Sequence, residues 1–362
     1  MASVDVGIPC YQYGRYLRDC VTSVLTQDIA NLRVLIIDNA STDDSLEVAH
    51  QLAAEDPRVE FIAHQKNLGP HASYNEAVDW AEADYFLLLD ADDLLAPGCL
   101  ARAVGIMEAH PEVSFTCGTE GFLLLDGTVR VFERNYQSTG WSISSGEDYI
   151  SRLCRTSTNT VAASSVVRRT SAQKKAGHYR PELPYSDDVE LWMRLATFGH
   201  VARTPAVQAI RRLHPLQHGS SYTASIVRDF KEREVAFESF FDNEGARMPE
   251  GELLLARAKC SLGEHAYWAA LARLCRGQLR LAGQLLSFSM AHKPSIVVLP
   301  PIGWLLRANR VADRVREVLT DAVVSRFGLS KSSRGGSHGI SLHPEFQHEQ
   351  LRRVGSDGIG AQ

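Results

Sequence analysis

From the N-terminus, short apolar runs alternate with longer stretches whose apolar residues recur at helical spacing. Val4 to Ile8 is followed by Arg15 to Gln27, Arg33 to Asp38 by Asp44 to Glu55, Val59 to Ala63 by Ala72 to Ala83, and Tyr85 to Asp90 by Pro97 to His110. Val113 to Cys117 closes the series. This rhythm predicts an α/β fold, a mostly parallel sheet flanked by helices. Ser41, Thr42 and Asp43 are available as caps before the second helix, and Pro97 suits the first turn of the fourth. Ligands of such sheets bind beyond the carboxyl ends of the strands. That rule directs attention to Pro9, Asp38 and the Asp90 to Asp93 cluster, which follow three different strands.

Between Glu120 and Thr170 the helical rhythm weakens while Gly, Ser and Thr accumulate, so hairpins and long connections are expected there. A helix over Asp187 to Phe198 is bounded by Pro184 and Gly199, and a strand over Val207 to Leu213 follows. The first domain is expected to span residues 1–225. Residues 226–328 form an Ala/Leu/Arg-rich helical region, with helices over Ile226 to Phe241, Glu252 to Cys260, His265 to Arg276 and Gln278 to His292. After Leu329 the chain turns to Ser, Gly, His and Gln, and residues 329–362 are expected to be a disordered tail.

Composition narrows the class. The 362 residues are 44% hydrophobic and 22% charged, as in a globular chain of one large and one smaller domain. The longest apolar stretch, Ile296 to Leu306, is about half the length a membrane span needs, and Pro300-Pro301 interrupts it. No basic segment and apolar core of signal-peptide form opens the chain, so the expected location is the cytoplasm. Seven scattered cysteines suit neither a disulfide framework nor a zinc cluster and are expected to be buried and apolar in character. A formal charge of −5 gives no general field for nucleic acid, which is not an expected partner.

Three segments carry candidate chemistry. Leu87-Leu88-Leu89-Asp90-Ala91-Asp92-Asp93 sets three carboxylates after a buried strand, where a divalent cation sharing a diphosphate would relieve their repulsion. The competing reading is a solvated Asp-rich turn. Asp187-Asp188-Val189-Glu190 opens a helix, either as macrodipole-favoured capping or as the source of a general base. Asp188 and Glu190 lie about 200° apart around that helix and cannot serve one site from one face. Arg211-Arg212-Leu213-His214 ends a strand, with His214 either a surface residue or a metal ligand. There is no G-x-G-x-x-G and no P-loop.

Taken in order, several segments resemble family 2 glycosyltransferases. They are Ile8-Pro9-Cys10-Tyr11, Ser23 to Gln27, Ile36-Ile37-Asp38-Asn39-Ala40-Ser41-Thr42-Asp43-Asp44-Ser45, Asn67-Leu68-Gly69, Asn75-Glu76-Ala77, Leu89 to Asp93 and Asp187 to Leu195. The resemblance covers about Ser3 to Ser221 and implies the GT-A fold, with residues 1–225 as catalytic domain. It also implies an inverting single displacement from a nucleotide-sugar donor, a UDP-sugar first among them, with Mn²⁺ or Mg²⁺. The acceptor would be a hydroxyl of a glycan, a lipid-linked saccharide or a small molecule. Pro9 and Tyr11 would line the base pocket, Asp38 would hydrogen-bond the base and Asp90 would approach the ribose. Asn67, Tyr74 and Asn75 belong to the same donor-binding set. Asp92 would hold the metal, His214 would add a metal or diphosphate contact, and Asp188 would be the base.

Two positions depart from the family pattern. Tyr74 stands where many members have Arg, which leaves the nucleotide open, and Asp187 stands where Glu is more common. A catalytically silent nucleotide-sugar-binding or scaffold protein is the alternative, although Asp92 and Asp188 are both intact. A nucleotidyltransferase would want a Gly-rich loop after the first strand, and Pro9 to Arg15 is not one. Finally, Ile296 to Leu306 followed by Arg307, Arg310, Arg314 and Arg316 reads either as a peripheral contact of residues 296–316 with the inner face of the membrane or as a packed helix with solvated arginines.

Overall fold

Along Ser3–Cys10 (β1), Val4, Val6 and Ile8 point to one face of the sheet while Asp5, Gly7 and Pro9 point to the other, the two-residue period of a strand. Val4, Val6 and Ile8 join a core with Leu17, Val21 and Val24 of α1 (Gly14–Leu25) and Leu100, Ala103 and Met107 further along the chain. On the opposite face Gly7 lets a helix come close, since a Cβ there would lie 2.5 Å from Ala77 Cβ.

The computed structural model describes residues 2–124, 127–131, 140–214, 226–297 and 299–302. They fall into two compact units. The first runs to Glu147 and resumes at Thr160; the second takes Asp148–Asn159 and the described residues from Ile226 to Ile302.

In the first unit β1, β2 (Asn31–Asp38), β3 (Val59–Ala63) and β4 (Tyr85–Leu88) are parallel, linked by α1, α2 (Ser45–Glu55) and α3 (Pro70–Trp80). Then come β5 (Leu94–Leu95), α4 (Cys99–Ala109), β6 (Val113–Leu123), β7 (Val129–Val131), β8 (Ser142–Ser144) and α5 (Gly146–Thr156), which belongs to the second unit from Asp148 on. The unit resumes with β9 (Val167–Arg169), α6 (Thr170–Ala176), α7 (Asp187–Ala196) and β10 (His200–Arg212). The sheet order is β3-β2-β1-β4-β9-β6-β10-β5, with β7 on β6 and β8 on β10. β9 is antiparallel to both β4 and β6, and β10 is parallel to β6. The carboxyl ends of β1, β2, β4, β6 and β10 therefore share one edge.

The expected α/β class holds, with several local corrections. The stretch from Glu120 to Thr170, expected to be hairpins and connections, holds the β6–β7 hairpin but also α5 and β9. Pro97 lies outside α4, which starts at Cys99 after Gly98 in the left-handed region. In the second unit α8 (Ile226–Asp242) is followed by α9 (Gly251–Cys275), one continuous helix where two were expected, and by α10 (Leu279–His292). Gly263 does not break α9 because α10 presses on it: Ser289 Oγ donates to Gly263 O at 2.7 Å, and a Cβ at 263 would meet His292 Cβ at 3.0 Å. All seven cysteines are free; five are buried, but Cys260 is half-buried and Cys275 exposed, which corrects the expectation for those two. Residues 329–362, and of 296–316 residues 298 and 303–316, lie outside the described residues.

Candidate active site

The loops after β1 and β2 are stitched together. Cys10 pairs with Asp38 in the parallel register, and Asn39 N donates to Cys10 O at 2.9 Å. Gln12 N donates to Ser41 Oγ at 3.0 Å and Gln12 Nε2 to Thr42 Oγ1 at 2.8 Å. Gln12 and Ala40 both have positive φ, 63° and 59°, a conformation that non-glycine residues keep only when their surroundings enforce it. Tyr11 is left 44% exposed beside half-buried Pro9. Asp43, expected as a helix cap, accepts from Ser45 N at 3.1 Å and from Gly14 N at 3.1 Å, so it ties the starts of α1 and α2 together.

Asp38 is buried. Its Oδ2 accepts from Ser41 N at 3.1 Å, whereas Oδ1 has no hydrogen-bond partner among the described residues. A buried carboxylate oxygen without a donor is costly, and a ligand N–H is the natural remedy.

Asn39 is the hub of the neighbouring loop. Its Nδ2 donates to Asn67 Oδ1 and Gly69 O, both at 3.1 Å, while its Oδ1 receives Leu68 N and stands 2.9 Å from His64 Nδ1. His64 Nε2 in turn lies 2.6 Å from Glu76 Oε2. Asn67 Oδ1 is also held by Gly69 N at 2.8 Å. Asn67 thus shapes the entry to α3. Asn75 exchanges two hydrogen bonds with the backbone of Tyr179, 3.0 Å to O and 2.8 Å from N, and so pins the approach to α7. Tyr74 lies between rings, 5.7 Å from His71 and 5.3 Å from Tyr179.

The acidic turn after β4 closes through Asp93 N on Asp90 O at 2.9 Å. It is not a solvated turn, since Asp92 and Asp93 are buried. Asp93 accepts from Ser164 Oγ at 2.9 Å and from Arg212 N at 3.2 Å. Asp92 Oδ2 lies 2.9 Å from His214 Nε2, although the two residues are 122 apart in sequence. The surface reading of His214 is overturned: the ring is buried against Tyr13 and Tyr16, with Nδ1 unpartnered. Asp90 keeps an accessible carboxylate although protein crowds it. Burial, then Asp92, push its pKa up to about 7, with Arg211 opposing and Asp187 and Glu120 adding. Asp93 is raised by burial and by Asp92 and Asp90, again against Arg211, and Glu120 is raised by burial. Arg211, already part of the candidate segment at the end of β10, and Glu120 of β6, which nothing in the sequence marked, thereby enter the electrostatics of the site.

At α7, Ser186 is the cap residue and the acids fill the first turn. Asp188 Oδ1 accepts from Val189 N at 2.6 Å, and Asp187 Oδ2 stands 3.1 Å from His71 Nε2 without hydrogen-bond alignment. Glu190 is fully buried between Arg180, at 2.6 Å, and Arg194, at 2.7 Å. Glu190 is therefore part of the scaffold.

Among the described residues no three His, Cys, Asp or Glu side chains converge as a ready metal cage. The Asp92 and His214 pair presents one carboxylate oxygen and one imidazole nitrogen, a donor set that would suit a divalent cation.

Residues 5–174 match the family model described as "Glycosyl transferase family 2". An uncharacterized glycosyltransferase of Haemophilus influenzae is 23% identical over 222 residues, 60% of this chain and 68% of that protein. A chondroitin synthase of Escherichia coli is 38% identical over 114 residues, 32% of this chain but only 16% of its own length. This chain thus spans a small part of some of the curated relatives it matches. Among solved structures, S. aureus TarS 1–349 in complex with UDP-GlcNAc superposes with a TM-score of 0.62 at 17% identity, covering 93% of this chain and 95% of that one. Mannosyltransferase PcManGT from Pyrobaculum calidifontis in complex with GDP-Man and Mn²⁺ gives 0.56 at 16% identity, covering 91% and 88%. These likenesses support the fold. With the sheet order, the loops after β1 and β2, and the acidic turn in place, residues 5–174 carry the match to the family 2 glycosyltransferases, and the first unit has the GT-A fold.

Proposed function

We propose that the protein transfers a sugar from a nucleotide-sugar donor, a UDP-sugar first among them, to an acceptor hydroxyl with inversion. The observation that carries this reading is the meeting of Asp92 and His214 at 2.9 Å beside Asp90, on the edge where the parallel strands end. The unpartnered Oδ1 of Asp38 supplies an acceptor for a base N–H, and exposed Tyr11 with Pro9 offers a surface for the base. Asn39 and Asn75 spend their amides on holding the surrounding loops, whereas exposed Asn67 uses only its Oδ1 among the described residues and can turn its Nδ2 to the donor. Tyr74 lies between His71 and Tyr179, at the end of the site where α7 begins.

Asp92 and His214 would hold a divalent cation, which supplies charge stabilisation for a departing diphosphate. Asp188 accepts the proton of the acceptor hydroxyl as that oxygen bonds to the anomeric carbon and the bond to the diphosphate oxygen breaks. Its position in the first turn of α7 ties it to a rigid element, and Glu190 beneath fixes that element by two arginines. A glycan, a lipid-linked saccharide or a small-molecule aglycone are the acceptor classes this chemistry accommodates. No helix among the described residues is long and apolar enough to cross a membrane.

The test is a panel of nucleotide sugars with Mn²⁺, with Mg²⁺ and with EDTA. Metal-dependent release of a nucleoside diphosphate from one donor is expected for the native chain. For Asp188→Asn, donor affinity should stay near normal while transfer is lost, because acceptor deprotonation is felt in the transition state. Full turnover in EDTA defeats the metal assignment, and normal transfer by Asp188→Asn defeats the base.

A further inference from the structure

From His265 to Ala312 the sequence contains no Asp or Glu, although the chain carries 43 of them and is formally −5 overall. Arg273, Arg276 and Arg280 from this stretch gather at the turn between α9 and α10. Arg273 in the last turn of α9 and Arg276 just after it complement the negative end of that helix dipole. Arg280, in the first turn of α10, faces the unfavourable end, so helix electrostatics do not account for it. Burial and then Arg276 pull the Arg273 guanidinium down to about 10, a sign that positive charge is crowded at this turn.

A cavity of about 560 Å³ opens there, lined by Ile226, Arg273, Gln278, Leu279, Arg280 and Leu281 among others. Beside the arginines two large aliphatic side chains stand out into solvent, Leu274 at 47% and Leu279 at 69% exposure. A site for a small soluble anion has no use for exposed leucines. A lipid surface uses both features at once, phosphate for the cations and acyl boundary for the aliphatic groups.

We infer that the α9–α10 turn docks onto an anionic lipid leaflet, with lipid phosphates in the arginine-lined cavity and Leu274 and Leu279 in the acyl boundary. The charge complementarity is local and opposes the net charge of the chain, so the contact orients the protein on the surface rather than merely concentrating it there. The inference is independent of the donor chemistry.

The experiment is vesicle flotation of the full chain. Vesicles of equal parts phosphatidylglycerol and phosphatidylcholine are compared with phosphatidylcholine alone, in low and high salt. Binding to the anionic vesicles only, lost in high salt, is expected. Arg276→Gln with Arg280→Gln should lower the partition coefficient about 30-fold at low salt, the scale of two basic side chains at an anionic surface. Leu279→Ser should weaken it separately, and neither variant should change the melting temperature or the release of nucleoside diphosphate. Equal binding by the double arginine variant and the native chain overturns the inference, as does equal binding to both vesicle types or no binding by the folded protein at low salt. Saturable binding of inorganic phosphate without any vesicle binding assigns the cavity to a free anion and likewise overturns it.

Discussion

Asp38 places one carboxylate oxygen on the Ser41 N–H and buries the other without a protein donor. If a nucleobase N–H completes it, Asp38→Ala should weaken UDP binding roughly tenfold or more by calorimetry, the scale of a hydrogen bond to a charged group. Unchanged affinity would remove Asp38 from the base pocket. Asp90 lends itself to a second test. Its pKa is pushed up to about 7 by burial and by Asp92, although solvent reaching the carboxylate screens part of that cost. A carboxyl raised above its unfolded value binds an extra proton in the folded state, so the penalty grows as pH rises from the ordinary carboxylate range through about 7. With chelator present, Asp90→Asn should therefore melt higher than the native chain at about pH 8 and lose that advantage by about pH 4. A stabilisation that is the same at both pH values would show that charge crowding is not its cause. Asn39 and His64 were not selected from sequence because a neutral amide and a lone histidine carry no pattern; only their convergence on Leu68 N and Glu76 marks them.

At the scale of the element, α7 is held by a buried ion-pair cluster and α3 by a missing side chain. Glu190 is fully buried between Arg180 and Arg194, and Arg194 also donates to the backbone oxygens of Ala176 and His178. Glu190→Ala leaves a buried guanidinium uncompensated and should cost about 3–5 kcal/mol in denaturant unfolding. Asp188→Asn, in the same helix, should stay within about 0.5 kcal/mol of the native chain while losing transfer. A reversal of these two outcomes would exchange the roles of the residues. Against β1, Gly7→Val would put a Cβ 2.5 Å from Ala77 Cβ and push α3 off the sheet. Destabilisation of about 1–3 kcal/mol is expected, as for overpacked cores, with donor affinity falling because the Asn67 loop leads directly into α3. Normal stability would mean that the contact relaxes without strain.

For the whole molecule, ligand linkage separates the two halves of the site. UDP at a hundredfold excess over its dissociation constant should stabilise the fold by about 2.7 kcal/mol, read as a rise in melting temperature. Mn²⁺ should add to that rise in the native chain and add nothing in Asp92→Asn, whose remaining rise reflects the base pocket at Asp38. An undiminished Mn²⁺ increment in Asp92→Asn would place the ion elsewhere.

The alternation of apolar runs and helical stretches by itself determined the parallel core of β1 to β4 and its helices, because burial on both faces imposes a local pattern that each segment carries independently. The same locality made Asp38, the acidic turn and the α7 carboxylates legible, since each follows an element whose end is marked in the sequence. Tertiary structure alone decided the rest. The three-residue strand β9 is too short to show a period, and it is a strand only because β4 and β6 flank it. α9 runs through Gly263 because α10 packs there. His214 became a buried partner of Asp92 rather than a surface residue because β10 inserts beside β6 and brings its end to the acidic turn. Pairings over 122 residues depend on sheet order, and sheet order is set by the packing of distant segments, which no local pattern records.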